Sequence, residues 1–235
     1  MQLVIGNKNY SSWSLRPWLL MRQAGIAFDE VLLRFDEGFA PDSAFKRALA
    51  RHSPAGRVPV LIDKLHSDSG ADTFAVWDTL AIAEYLAEKF PALRLWPEDA
   101  RARARARSVC AEMHAGFSAL RTHCPMNIEA SLPEVGERLL REQPTVKADL
   151  ERIVTLWSEL LVEHGGPLLF GRFTIADAYF APVCSRVRTY GLPVATHIAA
   201  YVDAVHALPA MQAWVKDALA EQDFVAFDEP YRTHR

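Results

Sequence analysis

The apolar periodicity of this chain changes once, near residue 90, and that change limits the fold more than any other feature of the sequence. Before it, strand-like and helix-like patterns alternate. Gln2–Ile5 is a short apolar run closed by Gly6-Asn7, as a buried strand requires. Leu15, Trp18 and Leu19 then fall at i, i+3 and i+4, one face of a helix, and Gly25 is a good stop. Phe28–Phe35 predicts a second strand. Asp42 and Ser43 can cap a short helix running to about Ala50. Arg57–Asp63 predicts a third strand and Thr73–Val76 a fourth, and Ile82, Tyr85, Leu86 and Phe90 mark a helix ended by Pro91. The sum is a βαβ unit followed by ββα. It is too small for a doubly wound dinucleotide fold, and neither G-x-G-x-x-G nor a phosphate-binding P-loop is present.

Phe90–Glu98 (FPALRLWPE) holds two prolines and reads as a linker, and only helical stripes follow it. Val109, Met113, Phe117 and Leu120 form one stripe. Val146, Leu150, Ile153, Trp157 and Leu160 form another, closed by Gly165-Gly166. Thr174-Ile175-Ala176-Asp177 is a capping box that opens a helix ending near Gly191. Segments 194–207 and 210–221 complete the bundle. The expectation is two domains, α/β over 1–88 and all-helical over 98–235.

With 26 Lys and Arg against 29 Asp and Glu, the net charge is −3 and no global positive field draws nucleic acid or an anionic membrane. No apolar run approaches the ~18 residues a membrane span needs, and the N-terminus lacks the pattern of a secretion signal. Three widely spaced cysteines, Cys110, Cys124 and Cys184, argue for a reducing compartment and against a disulfide framework. These features point to a cytoplasmic protein. Arg101, Arg103, Arg105 and Arg107 look like a basic patch. Spaced by two on a helix they scatter around its axis, which suits a solvated helix start better than a nucleic-acid arm. Eight histidines show no metal-ligand spacing, so no metal site is expected.

Three turns could carry chemistry. Tyr10-Ser11-Ser12-Trp13-Ser14 joins the first strand to the first helix. Pro17 is harmless only in a first turn, so Ser14 is the expected N-cap, with Ser11, Ser12 and the Trp13 amide in the loop above. Helix-terminal amides and dipole favour an anion there, and a hydroxyl could donate to a thiolate; equally, the serines could only decorate a turn. In Ser53-Pro54-Ala55-Gly56-Arg57-Val58-Pro59, the proline opening a strand suggests an edge or a cis bond. A cis bond would leave the Val58 backbone free to pair with an extended ligand. Trp77-Asp78-Thr79 begins the third helix. Asp78 and Thr79 are ordinary caps unless they face a cleft, where the carboxylate could take an ammonium and the hydroxyl a carboxylate.

Taken together the turns resemble the glutathione transferase family over essentially the whole chain. Residues 11–26 (SSWSLRPWLLMRQAGI) are similar, without gaps, to the zeta-class opening of Ser-Ser-Cys-Ser and an Arg-containing helix. SPAGRVPVLID resembles the family's Asn-Pro-x-Gly-Lys-Val-Pro segment, and WDTLAIAEYL its Glu-Ser-x-Ala-Ile-x-x-Tyr-Leu. FTIADAYFAP resembles the capping-box helix of the family's C-terminal domain. The resemblance implies a thioredoxin-like N-terminal domain, a helical C-terminal domain and a homodimer. Position by position it implies that Ser11 activates the glutathione sulfur, with Ser12 and Trp13 beside it. Val58, ahead of a cis-proline at Pro59, would pair with the cysteinyl backbone. Asp78 and Thr79 would hold the γ-glutamyl group, Arg57 could reach the glycyl carboxylate, and Asp177 matches a folding residue.

Two departures matter. Trp13 stands where the zeta class has cysteine, which argues against zeta-type isomerisation of maleylacetoacetate, and Asp78-Thr79 replaces Glu-Ser. Tyr10 and Ser12 remain competing candidates for the activating hydroxyl. Ser11 and Ser14 occupy the two C-x-x-C positions and no cysteine precedes Cys110, so dithiol exchange is excluded. Tyr10, Phe117 and Met126 are candidates for an apolar second-substrate pocket. The implied activity is thiolate attack on a small apolar electrophile, with glutathione as co-substrate. The alternatives are a non-catalytic interaction module on the same fold, or a glutathione-dependent isomerase or dehalogenase.

Overall fold

Side chains along β1 (Gln2–Ile5) alternate between two cores, as the two-residue period of a strand demands. A computed structural model describes residues 1–35, 40, 42–67 and 70–235. In it Leu3 and Ile5 are buried in one cluster with residues of α1 (Ser12–Gln23) and α3 (Thr79–Lys89). Val4 is buried in a second cluster with Phe45 and Leu49 of α2 (Ala44–Leu49). The sheet therefore has helices on both faces. Its order is β2 (Asp29–Leu32), β1, β3 (Val60–Ser67), β4 (Gly70–Trp77). β2 runs parallel to β1, β3 antiparallel to β1, and β4 antiparallel to β3. This is the thioredoxin-like arrangement that the resemblance implies.

Strand lengths differ from the apolar runs, for reasons of pairing. β2 is shorter than 28–35 because β1 ends at Ile5, whose carbonyl accepts the Leu33 N–H in a last rung at 2.9 Å. β3 and β4 are longer because they pair with each other beyond the sheet core, where Lys64 opposes Thr73 and hydropathy carries no signal. Pro59 does not sit on an edge strand: β3 is interior, and the proline precedes its first paired residue through a cis Val58–Pro59 bond.

The helical half contains α4 (Ala100–Ala115), α5 (Ser118–His123), α6 (Pro133–Glu142), α7 (Pro144–His164), α8 (Ile175–Thr189), α9 (Thr196–Ala207) and α10 (Pro209–Glu221). The stripe from Val109 to Leu120 is two helices, because Gly116 ends α4 and Phe117 takes a left-handed φ of +54°. A Cβ at Gly116 would lie 2.8 Å from the Glu112 carbonyl oxygen, so the break suits glycine. α6, opened by a proline, is not among the elements expected from the sequence, although Val135, Leu139 and Leu140 stand at helical spacing. Nearly all of α8 is buried, and it packs on α1, α4 and α9, so one apolar core runs from the sheet through the bundle.

The arginine run is absorbed by this frame. Asp99 caps α4, Arg103 donates to the carbonyls of Pro97 and Glu98, Arg105 pairs with Glu159, and Arg107 pairs with Glu84 through two bonds of 2.8 and 3.0 Å. The three cysteines are free and buried, and burial pushes the Cys124 thiol up to about 12. Among the described residues no helix is long and apolar enough to cross a membrane, and no cluster of His, Cys, Asp or Glu could hold a metal ion.

Candidate active site

The turn after β1 opens α1 three residues earlier than the proline suggests. Ser11 holds the cap position with φ −77° and ψ 83°, and the helix begins at Ser12. Pro17 thus lies inside the helix, where it leaves the Trp13 carbonyl without its usual donor. Ser14, the expected cap, is fully buried in the first turn instead. Its Oγ accepts the Gly6 N–H at 3.1 Å and lies 2.7 Å from Ser11 Oγ, which donates to it. This interior bond to the end of β1 displaces Ser14 from capping. Arg16 ties the turn to the bundle: Nη1 donates to the Ser12 carbonyl at 2.9 Å and Nε to that of Tyr179 at 3.1 Å. Its guanidinium lies 4.2 Å from the Trp13 ring, and burial brings it down to about 9.

Two hollows meet at Trp13, Arg57, Val58 and Arg121, forming one cleft between the sheet and the bundle. The first, of about 520 Å³, contains Ser11, Ser12 and Tyr10, with apolar walls from Phe35, Phe45 and Met126. The second, of about 660 Å³, contains Pro59, Asp78, Thr79 and Trp77. Trp13 lines both. Among the described residues the Val58 N–H and C=O have no backbone partner, and Val58 lines both hollows.

Asp78 caps α3 by accepting the Leu80 N–H at 2.8 Å, yet it is exposed to the cleft. Its φ of +73° is strained for a residue with a Cβ, a cost that cap and cleft geometry must offset. The other carboxylate oxygen lies 3.3 Å from His114 Nε2. Thr79 is buried beside it with Oγ1 2.7 Å from the Tyr179 hydroxyl, which in turn lies 3.2 Å from His114 Nδ1. Asp78, Thr79, Tyr179 and His114 therefore close a ring that crosses from α3 to the bundle.

Of the expected site residues, Ser11, Ser12, Trp13, Arg57, Val58, Pro59, Asp78, Thr79, Tyr10 and Met126 all line the cleft. Phe117 lines neither hollow and is buried at the α4–α5 break. Tyr10 reaches the cleft with its ring only. Its hydroxyl donates to Glu229 at 2.8 Å, and burial followed by that carboxylate pushes its pKa up to about 12. Among the lining residues that sequence reasoning missed are His114, Arg121, Arg186 and Asp228. Arg186 carried a signal, since it is a charge inside the apolar run of α8. The other three depend on how the helices and the C-terminal tail fold over the cleft. Burial and the nearby Glu229 charge push the Asp228 carboxyl up to about 6.

The arrangement could hold an anion at a helix N-terminus beside a hydroxyl, with an acidic group and a backbone edge nearby. Comparisons with known proteins identify the family. The model of the family described as glutathione S-transferase, N-terminal domain, matches residues 10–89, and that of the glutathione S-transferase C-terminal domain matches residues 98–217. Among solved structures the chain is similar to a glutathione transferase homolog from Burkholderia GL BGR1 with bound glutathione. The identity is 25%, over 93% of this chain and 97% of that one, with a TM-score of 0.62. It shares its fold with a glutathione transferase from Methylococcus capsulatus strain Bath, at 24% identity, coverage of 93% and 98%, and a TM-score of 0.61. The same holds for maleyl pyruvate isomerase, a bacterial zeta-class glutathione S-transferase, at 19% identity, coverage of 93% and 98%, and a TM-score of 0.63. No curated protein matches.

Proposed function

This chain belongs to the glutathione S-transferase family, and from that premise we propose that it adds the glutathione thiolate to a small electrophile, with Ser11 keeping the sulfur ionised. Glutathione occupies the hollow with Asp78 and Thr79, and the electrophile the apolar part of the other. Residues 1–88 act as the glutathione-binding domain and residues 98–235 supply the rest of the second-substrate pocket.

A thiol with the ordinary pKa of ~8.5 is only a few per cent ionised at neutral pH. Lowering that value by two units requires about 2.7 kcal/mol of preference for the anion. One hydrogen bond to a charged sulfur supplies roughly 1.5–3 kcal/mol, and a helix N-terminus adds up to ~2 in a partly buried site. The observation that carries the reading is the seat of Ser11 at the cap of α1, on the cavity wall, backed by Ser14 and the Gly6 N–H. The Ser11 proton, which is donated to Ser14 Oγ, would turn to a bound thiolate, and Ser14, still accepting from Gly6, would then donate its own proton to Ser11. Each donor in such a chain polarises the next.

The remaining roles follow from chemistry. Val58 pairs through its backbone with the cysteinyl unit, and Asp78 takes the γ-glutamyl ammonium. Thr79 and the first amides of α3 take the γ-glutamyl carboxylate, and Arg57 the glycyl carboxylate. In the reaction a carbon–sulfur bond forms at the electrophilic carbon, and the leaving group departs with its electron pair.

Ultraviolet titration of the bound thiolate tests the assignment. In Ser11→Ala the apparent pKa of bound glutathione rises by about two units while its affinity changes little. An unchanged pKa, or the same rise in Ser12→Ala alone, overturns the role of Ser11.

A further inference from the structure

The helical wall of the first hollow carries two arginines that, among the described residues, have no carboxylate partner. Arg186 is 3% exposed, and its bonds run to neutral carbonyls: Nε to Cys124 at 2.7 Å and Nη1 to Pro182 at 3.2 Å. Arg121 has a buried Nε with no partner, and its guanidinium lies 5.5 Å from the Trp13 ring. Among the described residues neither arginine makes an ion pair. Arg107 with Glu84, Arg152 with Glu112 and Arg232 with Glu229 each make two hydrogen bonds to one carboxylate, whereas Arg16, the other buried arginine without an ion pair among the described residues, stacks on the Trp13 and Tyr179 rings and lines neither hollow.

We propose that the second substrate carries a carboxylate, seated between Arg121 and Arg186 on the cavity side of Trp13. The inference deepens the transferase reading and rests on it for the word substrate. Burying the Arg186 charge without a counter-ion is expensive, and the half-buried Arg121 beside it adds repulsion. Burial first, and the Arg121 charge with it, bring the Arg186 guanidinium down to about 10. A ligand carboxylate removes both penalties with the bidentate geometry that guanidinium groups favour.

Neither carboxylate of glutathione fills this role. In the proposed pose one faces Thr79 and the other Arg57, whereas Arg186 lines only the hollow that contains Ser11. Asp228 lines the same hollow but makes no ion pair with either arginine. The electrophile is therefore amphipathic: an apolar body against Met126 and Phe45, and an anionic end at the arginines.

A matched pair of electrophiles tests this, 4-(chloromethyl)benzoate and 4-(chloromethyl)benzamide. With either, the glutathione sulfur bonds to the benzylic carbon, the carbon–chlorine bond breaks, and chloride leaves with the electron pair. The thiol proton goes to solvent. The expected kcat/KM for the benzoate is about tenfold or more above that for the amide, after correction for the uncatalysed rates. That ratio falls to about one in Arg121→Gln and in Arg186→Gln, and Arg121→Lys keeps part of it. Should Arg186→Gln fail to fold by circular dichroism, Arg121→Gln decides. Equal turnover of both probes by the wild type overturns the inference and leaves the transferase reading intact. A loss of rate in Arg121→Gln that is equal for both probes also overturns it, since the arginine then serves the thiolate. Binding of the unreactive 4-methylbenzoate and 4-methylbenzamide, read by tryptophan quenching without glutathione, separates the two claims. If neither electrophile is turned over yet the benzoate binds in an Arg121-dependent way, the anion seat stands and the transferase reading falls. No preference in binding or turnover removes the seat.

Discussion

The two walls of the cleft are built on different terms. On the sheet side the chemistry sits in three turns, and each functional group lies within a residue or two of a cap or a strand end: Ser11 at the start of α1, Val58 before β3, Asp78 at the start of α3. On the helical side it sits on long side chains, His114, Arg121 and Arg186, which reach the cleft from the ends or flanks of α4, α5 and α8. The first wall is fixed by local backbone geometry. The second is fixed by how whole helices pack. Binding of a constant co-substrate suits the first, and variation of the other substrate suits the second.

Two aspartates at helix starts sharpen the contrast. Asp177 begins α8 and is wholly buried, accepting from the Leu169 N–H at 3.0 Å, the Thr174 N–H at 2.9 Å and the Thr174 hydroxyl at 3.2 Å. Asp78 begins α3 and is exposed. Removing the first strands buried donors, each of which costs roughly 1–3 kcal/mol. Urea unfolding of Asp177→Ala should therefore show a loss of about 3 kcal/mol or more, the largest effect anticipated. It also has a pH signature. Burial raises the Asp177 carboxyl from 3.8 to about 6 in the fold. Folding then favours the protonated form, so the contribution is full below pH 4 and is lost as pH rises through 6, by about 3 kcal/mol. The gap between wild type and Asp177→Ala narrows from pH 4 to pH 7; a constant gap refutes the buried-carboxyl account.

Asp78→Asn keeps the cap acceptor and loses only the charge. The expected result is a rise of about tenfold to a hundredfold in the glutathione KM, the worth of one hydrogen bond to a charged group, with melting temperature nearly unchanged. A large fall in stability with no change in KM would make Asp78 a cap and nothing more.

These differences also explain what the sequence disclosed. The βαβ-ββα order, the capping box and the all-helical second half follow from local periodicity and punctuation, and all are present. Ser14 was misplaced because Pro17 obeys a local rule, which the tertiary bond from the Gly6 N–H to Ser14 Oγ overrides. Phe117 follows the stripe of α4 in sequence, but a left-handed turn carries it into the core. Arg186 stands out in the sequence only as a charge inside an apolar run, and Arg121 gives no local pattern. Their meaning lies in having no carboxylate partner among the described residues, which depends on how α5 and α8 pack.

A smaller effect tests the hydroxyl chain behind the sulfur. In Ser14→Ala the Gly6 N–H and the Ser11 hydroxyl both lose their acceptor, and no hydroxyl remains behind Ser11 once its proton turns to the sulfur. Stability should fall by about 1–3 kcal/mol for the stranded amide. The pKa of bound glutathione should rise by less than in Ser11→Ala, since the direct donor to sulfur remains. A rise equal to or larger than that of Ser11→Ala would move the activating role from Ser11 to Ser14.

The smallest expected effect is the most pointed, because it concerns the one aromatic hydroxyl beside the turn. The Tyr10 ring lines the first hollow, but the hydroxyl points toward the C-terminal tail, donating to Glu229 at 2.8 Å and accepting the Val225 N–H at 3.3 Å. Glu229 in turn is held by Asn127 at 2.8 Å and by Arg232. With its pKa pushed up to about 12, Tyr10 stays protonated at every working pH, and its proton is already committed to a carboxylate. Tyr10→Phe should therefore leave the pKa of bound glutathione where it was. What it should change is the seating of the tail that carries Asp228 over the cavity, seen as faster proteolysis after residue 222 and a modest rise in KM for the second substrate alone. A shift of the thiol pKa by a unit or more would assign the activating hydroxyl to Tyr10 and make the sheet-side wall a tyrosine site.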